Sequence, residues 1–181
     1  MKTPQVEHGV LDPKTGEEIT TPLGLRRIIP ILREGNNPFE MDELSKEEQA
    51  EKFNETLESC RGSDLPPVSH QIPGWKYKLL LSEGTTYFRE FAYGGAYWFM
   101  DVLLTEVVPL FEQQKELSML VIKVKSKNQE AGITATAEDE KNEEYTVWHR
   151  EIDFTFLDGD YKFWLFPVAP NTAHLILPNE Y

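Results

Sequence analysis

Apolar residues recur along this chain with two different periods, and each period is found in separate stretches of the sequence. Over residues 42–60 they recur every three or four positions, which is the spacing of one helix face. The positions in this stripe are Ala50, Phe53, Leu57 and Cys60. Over residues 94–108 the apolar positions are denser, and Pro109 should end or kink that helix. The pattern predicts a surface helix followed by a core helix.

Alternation of apolar and polar residues characterises the last third of the chain. This period of two is typical of half-buried strands. It predicts strands at 117–126, 132–137, 145–156, 161–168 and 173–177. In the third of these we expect one core face, interrupted by Arg150, that holds Trp148, Ile152, Phe154 and Phe156. Residues 75–81 are a candidate for one more short strand, and 85–93 are either extended or lead into the core helix.

These elements predict an α+β protein in which an antiparallel β-meander of four to five strands packs on one long helix. Residues 1–41 are punctuated by proline and glycine, which favours an N-terminal arm. The arm has an apolar island at 23–32, and we expect Ile28 and Ile29 in it to dock on the main body or on a partner. The predicted division is 1–74 for the arm, acidic helix and linker, and 75–181 for the α+β core domain.

The formal net charge of −13 comes from 31 acidic and 18 basic residues. A surface this negative disfavours direct binding of nucleic acid, whose binders are normally basic. It favours encounter with a basic protein surface instead. A single cysteine excludes an internal disulfide framework. No apolar signal region and no stretch long enough to span a membrane is visible, so we expect a soluble cytoplasmic protein without membrane contact.

The most suggestive group for chemistry is His149, Glu151 and Asp153, which share one face of a predicted strand. An imidazole with two carboxylates can bind a divalent metal or move a proton. The alternative is the water-facing side of a half-buried sheet, which the same alternation predicts. Asp101 on the core helix is a further candidate acid, and a structural pairing is the alternative for it. Phosphate-binding, nucleophile-elbow and metalloprotease motifs are absent, so we predict no cofactor and no bound metal.

Carboxylates line the outer face of the predicted surface helix. They are Glu47, Glu51, Glu55 and Glu58. Carboxylates ranged along one helix face can imitate the charges of a phosphate backbone and occupy a basic nucleic-acid-binding channel of a partner. A solvated helix face is the alternative.

Three segments carry a family resemblance. Residues 95–101 (Gly-Ala-Tyr-Trp-Phe-Met-Asp) are similar to a "gaYWLlD" helix start, residues 152–155 to a strand, and residues 175–181 to a closing "L-x-LP-x-EY". Together they resemble, over about 78–181, a bacterial and phage family described as a domain of unknown function. In the family's strand an aspartate follows the threonine, where this chain has Phe156.

The resemblance implies a compact α+β domain from mobile genetic elements. It draws attention to Tyr97, Trp98, Asp101, Glu180 and Tyr181. We expect the end of the chain to be ordered, with Tyr181 against the sheet and Glu180 or the terminal carboxylate paired with an arginine.

We interpret the chain as a non-catalytic protein-binding module, encoded by a phage or mobile element, that docks on or inhibits a host protein. Its predicted binding residues are Glu47, Glu51, Glu55, Glu58, Ile28, Ile29, Tyr97, Trp98 and Tyr181. Two alternatives stay open. One is a small metal-dependent or acid–base enzyme that uses His149, Glu151 and Asp153. The other is an assembly protein that forms homo-oligomers through 23–32.

Overall fold

The computed structural model describes residues 46–62, 66–92 and 95–181, with side chains from residue 48 onwards, and the backbone of Val10–Leu11 and Glu18–Ile19. The chain divides into two compact units, Met1–Leu44 and Ser45–Tyr181. In the first unit, β1 (Val10–Leu11) pairs antiparallel with β2 (Glu18–Ile19). The predicted arm at 23–32 lies outside the described residues, and the predicted domain division at residue 74 stays a prediction.

A mixed sheet and a layer of helices form the second unit, so the predicted α+β class is confirmed. The strands are β3 (Val68–His70), β4 (Lys78–Leu81), β5 (Leu120–Lys127), β6 (Glu130–Glu138), β7 (Glu144–Ile152), β8 (Gly159–Ala169) and β9 (Thr172–Ile176). In the part of the chain that the structure describes, these seven strands lie in the order β3-β4-β9-β8-β5-β6-β7.

The sheet has more strands, in a more complex order, than the expected meander of four to five strands. Consecutive strands pair antiparallel from β5 to β7 and from β8 to β9. However, β8 returns to pair with β5, and β4 pairs with β9 in parallel. Alternation marks which segments are strands, but it carries no information about which distant strands become neighbours, and that is why the order differs.

The helices are α1 (Lys46–Ser59), α2 (Glu83–Phe91), α3 (Tyr97–Val102) and α4 (Leu110–Gln113). Residues 85–93, left open between two interpretations, thus belong largely to a helix, which Ser82 caps by accepting from the Thr85 amide. The predicted core helix begins at Tyr97 and widens into a π-turn, Leu103–Val107. The Val108 amide bonds to the Leu103 carbonyl at 2.9 Å, next to Pro109, which has no amide proton to continue the α pattern.

The core lies where the helices cover one face of the sheet. Phe88 of α2, Phe99 of α3 and Phe163 of β8 are each fully buried, and their rings meet at centroid distances of 4.9 to 5.8 Å. The alternating residues Leu120 and Ile122 of β5 are buried beside them, as predicted. Ring pairs at these distances and tilts are favourable beyond the apolar area that they bury.

Helix α1 packs on this core through its predicted apolar stripe. Phe53, Leu57 and Cys60 are buried, and the Phe53 ring stacks on Tyr87 of α2 at 5.5 Å. Burial raises the pKa of the Cys60 thiol to about 12, so this cysteine is a packing residue rather than a nucleophile.

One expected core face is wrong. Phe154 and Phe156 are 60% and 67% exposed, whereas Thr155 and Leu157 between and after them are buried. Strand β7 ends at Ile152, and the chain bends at Asp153, which exchanges the inward and outward positions. Arg150, expected to interrupt the core face, forms an ion pair with Glu106 of the π-turn.

A short 3₁₀ turn, Pro178–Glu180, joins the ends of three elements. The Asn179 side-chain amide donates to the carbonyls of Leu57 and Cys60, at 2.9 and 2.7 Å, at the end of α1. The Glu180 carboxylate accepts from the Ser82 hydroxyl at 2.5 Å and the Gly84 amide at 2.7 Å, at the start of α2. These contacts satisfy backbone groups that helix ends otherwise leave unpaired.

The partners of Glu180 differ from the expected arginine. Besides Ser82 and Gly84, its carboxylate accepts from the Leu177 amide at 2.8 Å. Gly84 lets Leu177 and Glu180 lie close to the start of α2, because a Cβ at position 84 would collide with the Leu177 side chain. The ring of Tyr181 lies edge to face with that of Trp164 on the central strand β8, at 5.2 Å, but Tyr181 is 90% exposed.

No helix within the described ranges combines the length and the apolar character needed to cross a membrane.

Substitution of Glu180 by alanine should lower the free energy of unfolding by about 2 kcal/mol, because a charge-assisted acceptor is lost and its donors are left without it. Urea unfolding followed by circular dichroism measures the change. The exposed Glu116→Ala variant is the control and should shift stability by no more than about 0.5 kcal/mol. Equal effects of the two substitutions would contradict the role given to Glu180.

Candidate functional site

Two neighbouring side chains at the start of α3, Tyr97 and Trp98, lie in different surroundings. Helix α2 is capped at Ala92, and the Ala96 amide bonds back to the Arg89 carbonyl at 2.7 Å. Gly95 has a φ of +102°, a conformation that side chains disfavour. Tyr97 and Trp98 follow directly, as the first residues of α3. Tyr97 joins a polar cluster, and Trp98 lines an aromatic groove.

The polar cluster is built on a buried ion pair. The Arg89 guanidinium contacts the Glu90 carboxylate at 2.5 and 3.0 Å, and their side chains are 6% and 8% exposed. The Tyr97 hydroxyl donates to the second Glu90 oxygen, and the Arg89 guanidinium lies 5.2 Å from the centre of the Tyr97 ring. Burial and the adjacent Glu90 carboxylate raise the pKa of Tyr97 to about 12. The cluster therefore holds Tyr97 as a neutral hydrogen-bond donor.

Asp101 is paired with a histidine from the edge of the sheet. His70 Nε2 lies 2.8 Å from Asp101 Oδ1, and the two side chains are 12% and 50% exposed. The contact ties β3 to α3, and the His70 ring lies 6.5 Å from that of Tyr97. Sequence reasoning missed this partner, because thirty-one positions separate the two residues and no periodicity relates them.

The predicted catalytic group is brought together only in part. His149 Nε2 lies 2.5 Å from Glu151 Oε1, and His149 Nδ1 lies 3.1 Å from the hydroxyl oxygen of Thr134 on β6. Gly132, opposite Glu151, leaves room for this carboxylate. Asp153 lies beyond the end of β7.

The ion pair is exposed to solvent, since the side chains of His149 and Glu151 are 47% and 69% exposed. Exposed ion pairs contribute little stability and are common on solvated sheet faces. Across the described residues, no group of three or more histidine, cysteine or acidic side chains is arranged to hold a metal ion. The enzymatic alternative stays a prediction, supported by the His149–Glu151 contact.

The aromatic groove is an open cavity of about 480 Å³. Its lining residues are Ala92, Gly95, Ala96, Trp98, Phe154, Thr155, Phe156 and Leu157. The rings of Phe154 and Phe156 meet edge to face at 5.0 Å, and Trp98 is half-buried. Exposed apolar clusters of this kind are typical of interaction surfaces.

Hydrogen bonds hold the segment that carries the two phenylalanines. The Thr155 amide donates to the Gln129 carbonyl at 2.7 Å, and the Leu157 amide donates to the Thr155 hydroxyl oxygen at 3.0 Å. The Ser126 hydroxyl donates to the Leu157 carbonyl at 2.5 Å. The phenyl rings are thus presented outward on a fixed backbone. Sequence alternation predicted the opposite orientation, because the period of two does not show the bend at Asp153 that exchanges the two sets of positions.

The acidic face of α1 is exposed as predicted. Glu51, Glu55 and Glu58 all face solvent, and none of them is part of an ion pair among the residues that the structure describes. Like charges at a spacing of four residues destabilise an isolated helix, so packing of the opposite face maintains this one. The side chain of Glu47, and Ile28 and Ile29, lie outside the described residues.

Residues 51–181 match the model of a protein family described as "Family of unknown function (DUF6876)". The chain belongs to this family. The match contains the groove, the polar cluster and most of α1, whereas the resemblance noted above began near residue 78. Comparison with curated proteins and with solved structures found no match.

The raised pKa of Tyr97 predicts a loss of stability at alkaline pH. In the unfolded chain this tyrosine ionises near its ordinary value of 10.0, whereas in the folded protein its pKa is about 12. The stabilisation is therefore complete below the unfolded pKa and is lost as pH rises through 10 toward 12. Tyr97→Phe should reduce this loss in urea titrations, because it removes the hydroxyl that donates to Glu90. Tyr145→Phe, at a site that is equally exposed but lies outside the polar cluster, should not. Identical pH profiles for wild type and Tyr97→Phe would contradict the coupling of this hydroxyl to the Glu90 carboxylate.

Proposed function

We propose that this protein is a protein-binding module that docks on its partner through the aromatic groove formed by Trp98, Phe154 and Phe156. The observation that carries the proposal is the outward presentation of the two phenylalanines, 60% and 67% exposed, on a backbone segment anchored by buried Thr155 and Leu157. Full burial of such a side chain is worth about 1.5–3 kcal/mol. A partner that covers both rings recovers this energy, and aromatic residues in fixed positions are frequent binding hot spots.

The negative charge supports a basic partner. The net charge is −13, and the exposed face of α1 carries the carboxylates Glu51, Glu55 and Glu58. Long-range attraction of this kind raises the association rate more than the affinity. In this proposal the groove supplies the contact energy, and the acidic helix steers the partner toward the protein.

The proposed biological context, a host cell that contains the partner, follows from the family resemblance and not from the groove. The resemblance is to a domain family found in mobile genetic elements, so in this proposal the partner is a cytoplasmic host protein that the chain inhibits or docks on. The partner can itself be a nucleic-acid-binding protein, because such proteins present the basic surfaces that this charge attracts.

The Phe154→Ser/Phe156→Ser double variant should lose partners that the wild type retains in affinity capture from a bacterial lysate, because the apolar contact is removed. Quantitative mass spectrometry measures retention, and thermal unfolding checks that stability changes by no more than about 1 kcal/mol. Tyr145→Ser is the matched control, since it removes a 43% exposed aromatic ring at the other end of β7. The proposal fails if the double variant and the control retain the same proteins as wild type.

Charge reversal at Glu51, Glu55 and Glu58 to lysine should lower the association rate of a captured partner by about tenfold at low salt. Raising the ionic strength from about 0.01 M to about 0.15 M should shrink this difference, because the screening length falls from about 30 to about 8 Å. Surface plasmon resonance measures both rates. The control reverses three carboxylates elsewhere, Glu130, Glu138 and Glu140. An equal effect of the two variants would show that net charge, rather than helix α1, is responsible.

A further inference from the structure

The shape of the groove indicates what kind of group fits it. Its lining combines the small residues Ala92, Gly95 and Ala96, which leave the space open, with the rings of Trp98, Phe154 and Phe156. A volume of about 480 Å³ falls within the range of pockets that enclose small ligands or large side chains. The lining residues that the structure describes are mainly apolar and include no charged side chain, which favours an apolar group as the occupant.

The chain segment that forms the phenylalanine wall of the groove carries charges of one sign. Residues 151–159 contain Glu151, Asp153 and Asp158, all exposed, and no lysine or arginine. Asp153 directly precedes Phe154, and Asp158 directly follows the buried Leu157. A partner that inserts an apolar group here therefore places its neighbouring residues beside carboxylates, and lysine or arginine at those positions is complementary.

A second copy of this chain does not meet that requirement. Two copies would each bring a net charge of −13 and would bring Asp153 and Asp158 close to their own counterparts. Like charges in such an arrangement cost energy. An anionic ligand or an acidic membrane surface is disfavoured by the same repulsion.

We propose that the groove binds a linear segment of a partner protein in which one large apolar side chain is flanked by lysine or arginine residues. This inference rests on the proposed protein-binding function and specifies the chemistry of the partner. The apolar side chain lies between Trp98 and the phenylalanine pair, and the basic residues approach Asp153 and Asp158. An exposed backbone segment that is already fixed by hydrogen bonds loses little conformational freedom on binding, which favours a short ligand.

The test uses three short synthetic peptides and the full chain. The first has a tryptophan flanked on both sides by lysine pairs, the second has serine in place of the tryptophan, and the third has glutamate in place of each lysine. Isothermal titration should give binding of the first peptide, weakened about tenfold or more in the second and in the third. In two-dimensional NMR, the first peptide should shift the amide signals of Ala96, Thr155 and Leu157.

Variants of the chain test the apolar site and the charge requirement separately. Phe154→Ser/Phe156→Ser should abolish binding of the first peptide, Asp153→Asn/Asp158→Asn should weaken it and reduce its salt dependence, and Tyr145→Ser should leave it unchanged. Equal binding of the lysine and glutamate peptides would overturn the charge requirement. Unchanged binding by the double phenylalanine variant would overturn the site. A wild-type dimer that dissociates in that variant would make the occupant a second copy.

Failure of the inferred peptide binding is distinguishable from failure of the proposed protein-binding function. If lysate partners depend on Phe154 and Phe156 while none of the peptides binds, the protein-binding function stands and the inferred linear basic ligand is wrong. If neither the lysate partners nor the peptides depend on the two phenylalanines, both proposals are wrong.

Discussion

Hydrogen bonds that involve two neighbouring side chains, Asn179 and Glu180, tie the ends of two helices to the last turn of the chain. Asn179 donates to carbonyls at the end of α1, and Glu180 accepts from Ser82 and Gly84 at the start of α2. Because these residues directly follow β9, one turn couples two helix ends to one strand end. Each end would otherwise expose unpaired backbone groups, and the carboxylate also lies at the favourable, positive end of the α2 dipole.

The candidate site depends on this junction through α2. The start of α2 is held by Ser82 and Glu180, and its last turn supplies the buried Arg89–Glu90 pair. The following turn then directs Tyr97 to that pair and Trp98 to the groove. The other wall of the groove is positioned independently, by the hydrogen bonds of Thr155 and Leu157. Main-chain and buried contacts thus fix a surface whose outermost side chains are apolar, and a surface fixed in this way loses little conformational freedom when it is covered.

Much of the secondary structure was predictable because it follows local periodicity. The stripe through Phe53 and Leu57 identified a helix that packs on the core, and alternation identified the strands from β5 to β9. Prediction failed where tertiary contacts overrode the local period. From Ile152 to Phe156 apolar and polar residues alternate without a break, so the period assigned Phe154 and Phe156 to the inward face, and that assignment is wrong. The buried hydrogen bonds of Thr155 decided the orientation, and they involve Gln129 from another part of the chain.

The sequence by itself determined the α+β class and the acidic face of α1, and a family resemblance drew attention to Tyr97, Trp98, Asp101 and Glu180. It did so because period, charge and short motifs are local properties of the chain. Only the tertiary structure decided the strand order, the pairing of Asp101 with His70, the capping role of Glu180 and the exposure of Phe154 and Phe156. Each of these depends on which residues from distant segments meet, and that is decided by packing and by the pairing of buried polar groups.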